Sequence, residues 1–470
     1  MTFDSCWSRR DFLKQAGAMS SLLLLGGCES CRDQIANRPT RRNIANLAAN
    51  DPIIQAFKDG VQAMKNLPSS NPRSWVAQAQ IHFDHCPHRN WWFLPWHRAY
   101  LLYFEAIIRK LSAHDEFALP YWNWTTSRSV PSHFWGNGNP LLNTTRLIGP
   151  SDQADLSYVG ADVIESILEL TNFYTFASSP ATMQREQTTQ GMLESTPHNN
   201  IHGFVSGDMG AYHSPLDPVF WCHHNMCDCL WNEWNVTRGN ANTNDQAWYD
   251  LHFTEFVDGD GNPVDLTAGI TVLFPVFNYQ FEPCGPMHLE SRIRDRAALE
   301  AFLKAGAPVR LEFGERVELQ RAIAAEVGKP VASISKLGRT PIERALDPAS
   351  GRAVLLTIDG VDVPPRADYF VRVFVGKPDA GPGTPITDPH YAGSFGFFND
   401  PMMANMPGMG DAKARFLVDV SGAVRRLNQA GSLAADGVDI TLVPVPYEKR
   451  DTTGQRLTID RLALSVAQVK

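Results

Sequence analysis

Between about residues 43 and 235 apolar side chains return every three or four positions, whereas beyond about residue 248 they alternate or run in short blocks between turn residues. The first pattern is that of helices with one buried stripe, the second that of strands with a buried face. Helical periodicity covers residues 44–67, 74–82, 96–111, 196–204 and 218–234. Two of these runs open on a capping residue and a proline, Thr196-Pro197 and Asp217-Pro218, and Pro95 heads a third. Proline costs nothing there, because the first turn has no intrahelical partner for the N–H it lacks. Connections rich in Pro, Gly, Asn and Ser separate the runs at 125–155 and 205–217. The later pattern predicts a strand at 253–257 closed by Asp258-Gly259-Asp260-Gly261, helical patches at 295–303 and 315–327, and strands at 353–358, 369–375, 414–420 and 438–444. The expected fold is mainly α: a helical bundle over residues 40–290, followed by a small antiparallel β domain over 300–470.

Composition changes this picture at the N-terminus and in the choice of partners. The 470 residues are 43% hydrophobic and 20% charged, an ordinary globular balance, and a net charge of -8 offers no basic face for nucleic acid. Ser8-Arg9-Arg10-Asp11-Phe12-Leu13-Lys14, ahead of a weakly apolar run at 16–27, resembles a twin-arginine export signal. That run is too short to span a bilayer. It ends Leu25-Gly26-Gly27-Cys28, which resembles a lipoprotein box with Cys28 as the acylated residue; a cleavable signal with a chance cysteine is the alternative. Residues 1–28 are therefore expected to be a leader, and the mature protein to be periplasmic or anchored facing out of a bacterial cytoplasm. Disulfides are allowed in that compartment, but the eight cysteines show no framework spacing, and Cys222, Cys227 and Cys229 on one helix are badly placed to bridge one another.

The candidate chemistry is carried by histidine. The stretch HFDHCPHRNWWFLPWHRAYLLYFE at 82–105 puts His82 at the end of one helix, His88 in the following loop and His97 in the first turn of the next helix. His198 and His202 share a face at i and i+4, and His224 lies about two turns into the helix after Pro218. Asp228, one turn later, is placed to orient a ligand imidazole. Two groups of three histidines on helices suggest a two-metal site inside the bundle. Neutral imidazoles without an obvious carboxylate or thiolate suit copper; zinc could use them too, although a hydrolytic zinc pair more often includes a bridging carboxylate.

H-x4-F-L-P-W-H-R-A-Y-L-x3-E, from His88 to Glu105, and D-P-V-F-W-x2-H-x3-D, from Asp217 to Asp228, resemble the two copper signatures of the tyrosinase and catechol oxidase family. The resemblance covers about residues 45–290, and more weakly FVRVFVGKPDAG, HYAGSF and DGVDITLVPVP look like the C-terminal β domain of polyphenol oxidases. It implies two copper ions, the first on His82, His88 and His97 and the second on His198, His202 and His224. It also implies oxidation of o-diphenols, with ortho-hydroxylation of monophenols where these can be deprotonated, to o-quinones with dioxygen. An o-aminophenol oxidase and a haemocyanin-like oxygen carrier are the alternatives.

Residue by residue, the family pattern implies a thioether from Cys86 to His88, against a free buried thiol, and Phe220 packed near the coppers. His82 is preferred to His85 because Trp75 to His82 matches the family helix, and His223 is expected to face elsewhere. Glu194 and Asn199 match positions that hold a water near the second copper as a general base for phenols; capping by Glu194 and backbone bonding by Asn199 are the bland reading. Ala211 falls where relatives place a gate residue, and Gly203, also small, would leave the mouth open. Cys229 stands where the family usually has arginine after Asp228. Phe395, Phe397 or Phe398 is the expected plug if the β domain shields the site, and Met402, Met403, Met406 and Met409 are expected to pack adaptably.

Overall fold

The computed structural model describes residues 37–287, 311–334, 342, 352–399, 413–433 and 438–469. The leader, the helical patch at 295–303 and the methionines at 402–409 lie outside the described residues. A first helix, α1 (Pro52–Asn66), starts on proline behind Asp51, whose side chain accepts from Ile53 N–H. It packs on α3 (Phe93–Ser112) so closely that a Cβ on Gly60 would come within 2.8 Å of Ile108. Between them α2 (Trp75–His85) is capped by Ser74, which accepts from Ala77 N–H. A five-residue π-helical turn, Glu194–His198, takes up Pro197 and runs into α4 (Asn199–Val205), and α5 (Val219–Asn232) completes the bundle. Trp221 of α5 stacks on Phe104 of α3 at 3.5 Å, with Tyr100 and Trp75 around them.

A buried charge cluster locks α5 to α3 and to the N-terminal strand β1 (Thr40–Arg41), which pairs in parallel with β2 (Gln280–Phe281). Asp228 accepts from Arg98 Nε at 2.5 Å, Arg41 Nη1 at 3.1 Å and Tyr279 Oη at 2.6 Å. Arg41 also donates to Glu105 and Asn225. The expectation that Asp228 orients an imidazole is corrected: its lone pairs go to guanidinium and phenol donors, so it fixes helices and not a ring. One disulfide that no cysteine spacing signalled is also present. Cys229 bridges Cys284 across 55 residues, a pairing with a distant segment that helix spacing alone does not reveal.

Two antiparallel sheets sharing one core form the C-terminal part. Its strands are β3 (Leu311–Glu326), β4 (Val331–Ile334), β5 (Arg352–Val361), β6 (Tyr369–Val375), β7 (Tyr391–Phe395), β8 (Ala414–Asp419), β9 (Asp439–Pro446) and β10 (Arg456–Val469). One sheet runs β7-β6-β9-β4; the other runs β8-β5-β10-β3, and its β8 edge is extended in parallel by the two residues Thr189–Gln190 of the helical part. Residues 315–327, expected to be helical, lie in strand β3 up to Glu326: β3 pairs with β10 from Leu311 to Glu326, and long-range pairing overrides local propensity. The strand expected at 253–257 shrinks to His252–Phe253.

Candidate metal centre

Each of the six candidate imidazoles arrives on a different part of the bundle wall, and all are buried. Ring centroids of His82, His88 and His97 form a triangle with sides of 5.2, 5.2 and 5.4 Å. Those of His198, His202 and His224 form a second, with sides of 4.6, 4.8 and 5.4 Å. The triangles face each other: His97 stacks on His224 at 4.2 Å and His88 on His198 at 5.4 Å. Donor atoms of His82, His97 and His224 also lie within 4.8 Å of one another, so His224 borders both triangles.

Most rings are held from behind. Nδ1–H of His82 donates to Tyr212 O at 2.6 Å, of His97 to Phe93 O at 2.8 Å and of His202 to Met209 O at 2.6 Å, since a carbonyl can only accept. His198 Nδ1 meets Asn199 Oδ1 at 2.9 Å, and His88 Nδ1 lies 3.1 Å from Cys86 Sγ. The opposite nitrogens, Nε2 of His82, His88, His97 and His198, are buried without a hydrogen-bond partner. Nε2 of His202 and His224 face each other at 3.3 Å. Burial, reinforced by neighbouring rings, holds His82, His88, His198 and His224 well below the ordinary imidazole range and brings His97 down to about 3; burial brings His202 to about 3 against the bond to Met209 O. His224 differs, its Nδ1 being buried without a partner. In His82, His97 and His198 an uncharged ring with Nδ1 tied back and Nε2 unsatisfied fits a metal ligand, and the two triangles together fit a pair of copper ions, because a buried polar atom without a partner is costly unless something binds it.

The remaining expectations meet the structure unevenly. His85 is exposed and outside the cluster. His223, expected to face away, is buried beside His198 at 5.3 Å; its Nδ1 accepts from Trp124 Nε1, and one of its ring nitrogens lies within 4.8 Å of a ring nitrogen of each of His198, His202 and His224. Phe220 packs on His224 at 4.2 Å and His82 at 5.0 Å. At the mouth it is Tyr212, not Ala211, whose ring reaches the site, 5.2 Å from His88. Gly203 does not leave the mouth open either: a Cβ there would lie 2.6 Å from the hydroxyl of Tyr447, whose ring fills the space. Phe398 lies over the rings, 4.2 Å from His202 and 4.7 Å from His88, stacked on Tyr212; Phe395 and Phe397 sit in the β-domain core.

Glu194 does not cap its helix. One carboxyl oxygen accepts from Arg89 N–H at 2.6 Å, beside His88, and the other lies 2.7 Å from Ser178 Oγ. Burial raises it to about 7 against the pull of these donors. Asn199 commits both its amide hydrogens, to Gln190 Oε1 at 2.7 Å and Gly396 O at 3.0 Å, and its Oδ1 meets His198 Nδ1. Sequence reading missed Gln190 and Ser178: Gln190 lies in a strand of two residues, and Ser178 in a connection without a periodic pattern.

A profile of the family described as the common central domain of tyrosinase matches residues 60–154 and 137–237. Tyrosinase HcTyr1 from Hahella sp. (strain CCB-MM4) is 23% identical, across 90% of this chain and 98% of its own. The chloroplastic (+)-larreatricin hydroxylase of Larrea tridentata is 25% identical, across 87% and 76%. Among solved structures, latent aurone synthase, a polyphenol oxidase, superposes with a TM-score of 0.69 at 20% identity over 92% of this chain and 90% of its own. Latent apple tyrosinase superposes with a TM-score of 0.67 at 20% identity over 92% and 98%.

Proposed function

The chain belongs to the tyrosinase and polyphenol oxidase family of copper oxidoreductases, and from that premise we propose that His82, His88 and His97 hold one copper ion and His198, His202 and His224 the other. The observation that carries this is the pair of stacked, buried imidazole triangles, in which Nε2 of His82, His88, His97 and His198 has no hydrogen-bond partner. Among the described residues no carboxylate joins the cluster, which argues against a zinc hydrolase. Bound there, copper supplies the two-electron exchange by which a phenol is oxidised to an o-quinone at the expense of dioxygen.

The protein's own share is geometry, dryness and one proton. Backbone carbonyls from Phe93, Met209 and Tyr212 keep the rings aimed, and Phe220 and the tryptophans around them exclude water. Glu194, titrating near neutrality, is the general base for the hydroxyl of a monophenol, while Asn199 orients His198. Cys86 forms a thioether to a ring carbon of His88, a reading supported by its Sγ lying 3.1 Å from His88 Nδ1; tryptic peptides containing Cys86 would then carry no alkylatable thiol. Residues 1–28 act as a twin-arginine leader, 40–290 as the copper domain and 300–470 as its shield, with Phe398 in the space that a phenol ring would take. The direct test compares copper-loaded full-length protein with its Phe398→Ala variant on a monophenol and the matching catechol. Oxidation of the catechol, faster in the variant, is the expected outcome; no turnover by either protein would end the proposal.

A further inference from the structure

The ring of His198 is held differently from those of His82, His97 and His202. Their Nδ1 atoms meet backbone carbonyls, which can only accept, so the proton must sit on Nδ1 and the lone pair on Nε2. His198 instead meets the side-chain amide of Asn199. An amide can present either face. Turned half a revolution, Asn199 would offer its NH2 group to Nδ1, and the ring would have to move its proton to Nε2, the nitrogen that must stay bare to take a metal.

We propose that Gln190, together with the backbone carbonyl of Gly396, is the positioning element that fixes the tautomer of His198, acting through Asn199. The inference rests on the reading of His198 as a copper ligand. Asn199 Nδ2 donates one hydrogen to Gln190 Oε1 and the other to Gly396 O. Gly396 breaks the ambiguity, because its carbonyl has no donor to offer. Flipping Asn199 would set Oδ1 against that oxygen, leaving two buried acceptors facing each other and Nδ2 facing the ring.

Both supports are rigid. The backbone of Gln190 bridges Ser178 on one side and pairs with Phe416 on the other, and the residue is buried. Gly396 N–H donates to Ser195 O at 2.7 Å, and only glycine fits, since a Cβ would lie 2.5 Å from Asn200 Oδ1. Gly396 follows strand β7 and Phe416 belongs to β8, so the β domain reaches past the mouth and into the support of one imidazole. Its contribution to the copper site is therefore electronic as well as steric.

The test uses copper-free, full-length protein with nitrogen-15 in its histidines, in which nitrogen chemical shifts separate the two tautomers. The signal lost in His198→Ala identifies the ring. Wild type is expected to show His198 with its proton on Nδ1. Gln190→Met, similar in shape but unable to accept, is expected to give a mixture of tautomers and to weaken binding of one of the two copper ions about tenfold, measured by competition with a chelator. Gln190→Glu, which keeps an acceptor, is expected to restore both properties. Gln190→Asn, too short to reach Asn199, gives the same readout as Met should the Met variant fail to fold. An unchanged His198 tautomer with unchanged affinity for both coppers in the Met or Asn variant overturns the inference while leaving His198 as a ligand. Retention of both coppers by His198→Ala overturns the ligand reading and the inference with it.

Discussion

Glu194 is a carboxyl kept where water does not reach, and burial lifts its titration to about 7. In Glu194→Gln the monophenol reaction is expected to fall about a hundredfold or more, the usual loss for a general base, while catechol oxidation is retained. Steady-state rates on the two substrates check this, and an unchanged ratio contradicts it. In wild type the monophenol rate is expected to climb as pH rises through about 7 and the carboxyl ionises. The imidazoles pull the other way in stability. Their folded values are depressed, so without copper the unfolded chain binds more protons below pH 6.5, and stability is lost as pH falls towards about 3. Glu194, raised, works against that loss between its unfolded value of 4.5 and about 7, but one carboxyl cannot offset several rings at about 1.4 kcal/mol per pH unit each. Thermal unfolding of copper-free protein is therefore expected to drop steadily from pH 7 to 5; a flat profile contradicts the depressed values. The candidate ligands were visible in sequence because i, i+4 spacing and loop position place them. His223 was misjudged because neighbours on a helix point about 100° apart, which does not stop both from bordering one cavity. The partners of Asp228 were hidden, since Arg41 is 187 residues away.

At the level of elements, the helices followed their apolar stripes and caps, and the edges of β5, β6, β8 and β9 fell within a few residues of the alternation. What could not be read was pairing at long range. Thr189–Gln190 is too short to signal a strand, and β3 looks helical until β10 lies beside it. The turn after β9 shows how tightly these elements interlock: Tyr447 enters beside Gly203 and donates to Asn200 Oδ1 at 2.8 Å. Gly203→Ala is expected to cost about 1–3 kcal/mol through overpacking, seen as a lower Tm, and to cost less in a Tyr447→Ala background than in wild type. Equal costs in the two backgrounds would mean that the ring is not the obstacle. The bridge from α5 to Cys284 closes 55 residues, and Cys229→Ser is expected to cost about 2–4 kcal/mol.

Across the whole molecule, the β domain is fastened to the helical part by bonds from Arg372 to Asp155, Arg450 to Phe204 O, Tyr391 to Ser157 O and Thr196 to Ser394 O, with Phe398 over the rings. If Phe398 takes the place of the phenol ring, as proposed, the full-length protein is expected to be slow and Phe398→Ala faster. All of this depends on copper lying between the two imidazole triangles. Diffraction from crystals of the copper-loaded protein, recorded on either side of the copper absorption edge, locates the ions without reference to activity. Two anomalous peaks are expected, one bounded by His82, His88 and His97 and the other by His198, His202 and His224. A single peak, or a second peak bound through His223 in place of one of those three, would contradict the account.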